Sequence, residues 1–220
     1  MREFYVPAFS PPSSSAFQPN TLQCSSSLPL VVMGIRISER TEIFHVPYGS
    51  LNSEGTAEAS FVDVKADPAW IPVLSSCVGW PETQALLQVV NSSTSALMTL
   101  AADQACTTAV SAEHPVVLTS FVTLCRADVA SNGKPAISEL AKFLKVRMDD
   151  LLQNVSTALQ RSLYLDIVLE IQPTFFHHRD VEGWSLTVLM AAHGGDEGQV
   201  RSIWQLGIRV LQDALTDHEA

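Results

Sequence analysis

The pattern of apolar and polar residues predicts β-strands in several parts of the chain, either as runs rich in Val, Ile and other apolar residues or as alternation with a period of two. Three such segments come early in the chain, at Leu30–Ile37, Glu42–Tyr48 and Ala57–Lys65. Three later strands are predicted at Val116–Cys125, Tyr164–Ile171 and Trp184–Ala192. Strands of this number and length predict that a β-sheet forms the centre of the fold.

Apolar residues at steps of three and four residues predict three helices. The first opens at Pro81, where the missing amide proton costs little, and extends to about Ala105. The second covers residues 136–161 and carries one continuous apolar stripe. The last follows the glycines at 194 and 195, and Asp196 is expected to cap its first turn.

The predicted element order is therefore βββαβαββα, which indicates an α+β fold. Alternation of this kind favours a mixed, mostly antiparallel sheet with the helices packed on one face. Residues 28–220 are assigned to this single domain, and residues 1–27, rich in Ser and Pro, to an irregular arm. Two prolines exclude a helix interior at Asp67–Pro72, which is interpreted as a crossing loop with Trp70 buried in it.

Composition narrows the range of partners. The chain has 220 residues, 46% of them apolar, and 23 acidic against 13 basic residues give a formal net charge of -10. Nucleic acids and anionic membranes attract proteins through Lys and Arg, so neither is expected as a partner. The four cysteines form no CxxC pair and are expected to be free thiols. Free thiols, with no signal-peptide pattern at Met1, favour the cytoplasm or the nucleus.

Histidines near the end of the chain are the most obvious candidates for metal chemistry, because imidazole is a common zinc ligand. His177 and His178 precede the last predicted strand, and His193 follows it. A strand of about nine residues at ~3.3 Å each separates His178 from His193 by roughly 30 Å. We therefore expect no metal site, no cofactor and no catalytic residue.

One resemblance bears on function. The order βββαβαββ and the segment Leu118–Leu124 are similar to the RidA-like trimeric domains. The resemblance implies an oligomer that binds a small molecule or hydrolyses an imine, with an arginine that holds the carboxylate of an imino acid. The corresponding stretch, Gly183–Val188, has no arginine. Arg126 and Arg179 are the loop candidates for that arginine, and His193 is a further weak ligand candidate.

An excess of apolar side chains favours a different function. The chain carries four tryptophans and three amphipathic helices, and large exposed apolar patches usually mark partner surfaces. We therefore expect a non-catalytic interaction subunit or adaptor that binds other protein subunits or itself. The RidA-like oligomer is the alternative.

The first predicted helix is the expected contact face of this subunit. Its candidate contact residues are Trp80, Leu86, Val90 and Leu97. Small uncharged side chains on its outer side, including Thr99, Thr107 and Thr108, would permit a partner to approach closely.

Overall fold

Six strands pair into one mixed sheet in the computed structural model, which describes residues 32–46, 62–108, 115–155, 164–177 and 179–219. The strands are β1 (Val32–Glu39), β2 (Phe44–Val46), β3 (Leu97–Thr108), β4 (Val116–Arg126), β5 (Tyr164–Phe176) and β6 (Val181–Gly194). Their order across the sheet is β1-β5-β6-β4-β3, and β2 follows β1 along the same side of β5. Strands β1 and β2 run parallel to β5, and the other pairs are antiparallel.

Within the described ranges, three α-helices accompany the sheet: α1 (Pro81–Val90), α2 (Lys134–Val155) and α3 (Glu197–Glu219). Helix α3 begins where the sequence predicts, because Asp196 Oδ1 accepts a hydrogen bond from the Gln199 backbone N–H at 2.9 Å. Short 3-10 helices lie at Pro68–Val73 and Val129–Ser131.

All three helices lie on one face of the sheet, and the alternation along β6 shows which face. Leu186, Val188 and Met190 join the main core together with residues of α1, α2 and α3. Helix α3 packs closely here, because a Cβ on Gly207 would lie 3.2 Å from both Leu165 Cδ2 and Met190 Sδ. We call the opposite side of the sheet the helix-free face.

The structure confirms the α+β class, the mixed sheet and the helices on one face. It also corrects the first predicted helix, which ends at Val90, since residues 97–108 form strand β3. Residues 62–66 form a turn instead of the end of a third strand, and the rest of that predicted strand lies outside the described residues, as does the arm at 1–27. Trp70 is exposed, and its neighbour Ile71 is the buried residue of the crossing segment.

Candidate functional site

Strand β3 forms one edge of the sheet among the described strands. It is 12 residues long, and Asp103 is its one charged residue. Its first four residues are buried and the next four are partly buried, whereas Ala105, Cys106, Thr107 and Thr108 are exposed. Long edge strands are usually protected from further pairing by charged side chains, proline or a covering element. The outer end of β3 therefore has the character of a strand that can pair with another strand.

Helix α1 and the segment before it cover the edge only as far as Gln104. The Thr83 hydroxyl donates a hydrogen bond to Gln104 Oε1 at 3.0 Å, and Gln104 Nε2 donates to the Ser76 carbonyl at 2.8 Å. These two contacts fix α1 and the preceding segment beside β3. The four exposed residues that follow Gln104 extend beyond them.

The segment next to this edge presents apolar side chains to solvent. Trp70, Val73 and Val78 are exposed by 42%, 59% and 66%. Trp70 and Val73 lie three residues apart in a 3-10 helix, where such side chains point in the same direction. Asp67 Oδ1 caps this helix by accepting a hydrogen bond from the Ala69 N–H at 3.2 Å, and Ile71 anchors it in the core.

Lys65 also holds the segment in place, because its Nζ donates to the carbonyls of Ser92 and Ser95 at 2.5 and 2.6 Å. Ser76 lies between Val73 and Val78, so its contact with Gln104 connects the apolar side chains to the strand edge. We call the combination of Trp70, Val73, Val78 and residues 105–108 the edge surface.

The predicted contact residues lie elsewhere. Leu86, Val90 and Leu97 are exposed by only 1%, 2% and 1%, so they belong to the core and not to a contact face. Trp80 is half-buried, with its ring edge-on to Trp204 at 5.2 Å. The Arg201 guanidinium lies 4.7 Å from the Trp80 ring centroid, so Trp80 fastens α1 to α3.

The three weak ligand candidates do not converge. Arg126 lies at the end of β4, where its backbone N–H donates to Asn132 Oδ1 at 2.7 Å. Arg179 is exposed in the turn between β5 and β6. His193 lies at the far end of β6, with its ring edge-on to Tyr164 at 5.3 Å. Strand β6 separates Arg179 from His193 by roughly 40 Å.

A groove of about 410 Å³ opens where the β5–β6 hairpin extends past the start of α2. Its walls include Ile43, Pro173, Val181 and Trp184, and Glu182 is the one ionisable residue among the described residues that line it. Neither Arg126 nor Arg179 lines this groove. Among the described lining residues, apolar side chains lie beside the polar Asn132, Thr174 and Glu182, and none is basic.

The helix-free face carries a network of buried polar side chains. Gln172 Nε2 donates to the Thr187 hydroxyl at 2.8 Å, and the Thr187 and Thr123 hydroxyls lie 2.9 Å apart. The Thr174 and Ser185 hydroxyls lie 2.7 Å apart beside them. Hydroxyl and amide groups satisfy one another here, which stabilises the sheet.

Asp166 lies on the same face and is also buried. Arg36 pairs with it at 3.1 Å. Burial raises the pKa of the Asp166 carboxyl above its ordinary value, and the Arg36 guanidinium opposes this by lowering the pKa. Cys125 is buried on this face as well, and burial raises the pKa of its thiol to about 12, which makes it a poor nucleophile.

The basic side chains of α2 are paired with carboxylates. Lys142 contacts Glu139, Lys145 contacts Asp149, and Arg147 contacts Asp217 at 2.6 Å. These pairs leave this helix with no unopposed cluster of positive charge of the kind that attracts phosphate.

No family model, curated protein or solved structure matches this chain. Within the described residues, no helix combines the length and the apolar character needed to cross a membrane. Within the described residues, the fold and the edge surface define an α+β sheet protein whose edge strand β3 is exposed over its last four residues.

Proposed function

We propose that the chain is a non-catalytic interaction subunit that joins another protein subunit, or a second copy of itself, through the edge surface. The observation that carries the proposal is the exposed, uncharged outer end of β3, residues 105–108, next to a segment that bears the exposed Trp70 and contacts Gln104 through Ser76. A partner strand would pair with the backbone of this edge, and main-chain hydrogen bonds of this kind are a common basis of protein recognition.

Side chains of the adjoining segment would give the contact its specificity. Tryptophan is enriched among the residues that dominate binding energy at interfaces. Trp70 and Val73 point in the same direction from one rigid turn, so a partner pocket could receive both. Lys65 and Ile71 keep that turn in place before a partner binds, which lowers the entropy lost on association.

Site-specific photo-cross-linking in cells that express the full chain tests this proposal. A benzophenone amino acid at position 106 should yield a discrete adduct, whereas the same group at Val146, exposed on α2, should not. Thr107→Lys, which places a charge on the edge, and Trp70→Ala should each abolish the adduct at 106. Equal adducts from positions 106 and 146, or an adduct unaffected by both substitutions, would show that the edge surface is not the contact.

The groove at the β5–β6 hairpin supports a second candidate function, the binding of a small apolar molecule. Hydrolysis of an imine in the RidA-like manner would also need an arginine near the bound molecule. Turnover of a reactive imine that disappears in Arg126→Ala or Arg179→Ala would favour this alternative. Absence of turnover in the parent chain would exclude imine hydrolysis.

A further inference from the structure

Two histidines that are 132 positions apart in sequence meet beside the hairpin between β5 and β6. His45 Nδ1 and His177 Nε2 are 3.0 Å apart, and the ring centroids are 5.1 Å apart. Both side chains are exposed. At this distance one ring N–H donates a hydrogen bond to the lone pair of the other ring.

Strand pairing holds the two rings together. His45 lies on β2 opposite Phe175 of β5, and the His177 backbone N–H donates to the Val46 carbonyl at 2.6 Å. The Phe175 ring packs edge-on to His177 at 4.7 Å. Val46 and Phe176, which point to the opposite side, are fully buried in a second small core. The exposed imidazoles are thus carried by a firmly anchored backbone.

We propose that His45 and His177 form a two-imidazole site for a divalent transition-metal ion such as Zn²⁺, Ni²⁺ or Cu²⁺. Either ring nitrogen of a neutral histidine can bind a metal ion, and imidazole is a preferred ligand of these three ions. Two Zn–N bonds of about 2.0–2.1 Å at a tetrahedral angle hold their nitrogens about 3.3 Å apart. The two nitrogens therefore need to separate by only about 0.3 Å, and each ring turns by about 35° so that its lone pair points at the ion.

The ion replaces the proton of the N–H···N hydrogen bond and lies beside the line that joins the two nitrogens. That proton moves through solvent to the other nitrogen of the donor ring, so both rings stay neutral and each directs a lone pair at the ion. Among the described residues, no group of three or more His, Cys, Asp or Glu side chains gathers as ligands. Water completes the coordination, which gives an exchangeable ion instead of a closed structural centre.

Binding should also connect β2 to β5. Strand β2 has only three residues, and an ion held by His45 and His177 bridges it to the end of β5. The two imidazoles are far apart in sequence, so the folded chain binds the ion better than the unfolded chain. A ligand that prefers the folded state raises its melting temperature.

Calorimetric titration of the untagged full chain with NiCl₂ tests the proposal. We expect one Ni²⁺ per chain at the pair, and a melting temperature that rises with Ni²⁺ concentration. His45→Gln and His177→Gln should each weaken binding by at least about tenfold, because even loss of a group behind a metal ligand costs 10- to 100-fold. Each variant should also lose the Ni²⁺-dependent rise in melting temperature.

His193→Gln is the matched control, since it removes one imidazole about 35 Å away along β6 and should keep full affinity. Selective broadening of the His45 and His177 imidazole NMR signals by Ni²⁺ in the parent chain locates the ion without any substitution. Broadening of other histidines first, unchanged affinity in His45→Gln, or an equal loss in His193→Gln would overturn the proposal.

Discussion

Asn91 and Thr99 hydrogen-bond to each other in both directions. Asn91 Nδ2 donates to the Thr99 hydroxyl at 2.8 Å, and the Thr99 backbone N–H donates to Asn91 Oδ1 at 3.0 Å. Asn91 Nδ2 also donates to the Leu87 carbonyl at 2.8 Å, at the end of α1. One buried amide thus ends the helix and starts the edge strand.

Replacing Asn91 with Ala should destabilise the fold by about 3 kcal/mol. The change removes three hydrogen bonds and leaves the buried Thr99 N–H without its partner, and an unsatisfied buried donor costs more than a lost exposed one. Chemical denaturation followed by circular dichroism measures the loss. Ser93→Ala, in the same loop but exposed, is the control and should change stability by less than about 0.5 kcal/mol. Equal effects of the two substitutions would refute this account of how α1 ends.

The hydrogen bonds between Asn91 and Thr99 explain why the sequence pattern wrongly predicts one helix from Pro81 to about Ala105. Apolar residues at Leu86, Val90, Leu97 and Leu100 keep a helical period across the break, so periodicity alone predicts one long helix. The break depends on a hydrogen bond between residues eight positions apart, which a local pattern does not report. Elements with one strong period, such as α2, α3 and β5, have the predicted type because packing and pattern agree there. Strand β5 extends five residues past the predicted end at Ile171, and residues 156–161 of the second predicted helix lie outside the described residues.

The edge surface was predictable only in part. Small uncharged residues including Thr107 and Thr108 were expected on a contact face, and they are exposed, although on a strand instead of a helix. The choice between Trp70 and Ile71 as the buried residue depends on how the 3-10 helix docks, which composition does not determine. The His45–His177 pair depends on parallel pairing of β2 with β5, a long-range contact with no local signal.

Asp166 should make stability depend on pH in the direction opposite to that of an ordinary ion-paired carboxylate. Burial raises its pKa above the ordinary value of about 4, so the folded state favours the protonated form. The stabilisation that the protonated carboxyl provides is complete below the pKa of Asp166 in the unfolded chain. It is lost as the pH rises through the pKa of Asp166 in the folded chain. The difference in the free energy of unfolding between Asp166→Asn and the parent should therefore be more favourable to the variant at pH 7 than at pH 4. Parallel stability curves for the two proteins would contradict the raised pKa.

Arg36→Gln supplies the complementary prediction. The Arg36 guanidinium opposes the effect of burial on the Asp166 pKa, so its removal should raise that pKa further. The variant should lose stability at pH 7, where the buried carboxylate is left charged and unpaired, and recover most of it near pH 4. Urea denaturation at the two pH values measures the difference. The same substitution in an Asp166→Asn background should lose this pH dependence.

Asp196→Ala should cost about 1 kcal/mol, because the carboxylate accepts a hydrogen bond from the Gln199 N–H at the start of α3. Asp196→Asn keeps the acceptor and should cost only a few tenths of that amount. Thermal denaturation distinguishes the two variants. An equal loss in both would show that the negative charge near the helix N-terminus, and not the hydrogen bond, provides the stabilisation.

Thiol reactivity should report the state of the edge surface. Of the described cysteines, Cys106 is exposed, whereas Cys77 and Cys125 are buried. Burial raises the pKa of the Cys125 thiol to about 12, so it should stay unreactive until the chain unfolds. In a Cys24→Ser variant, a thiol reagent should therefore modify one cysteine rapidly, and Cys106→Ser should remove that reaction.

If a partner strand covers residues 105–108, assembly should slow the modification of Cys106 and not that of a cysteine introduced at Val146. Equal rates in the free and assembled chain would place the contact away from β3.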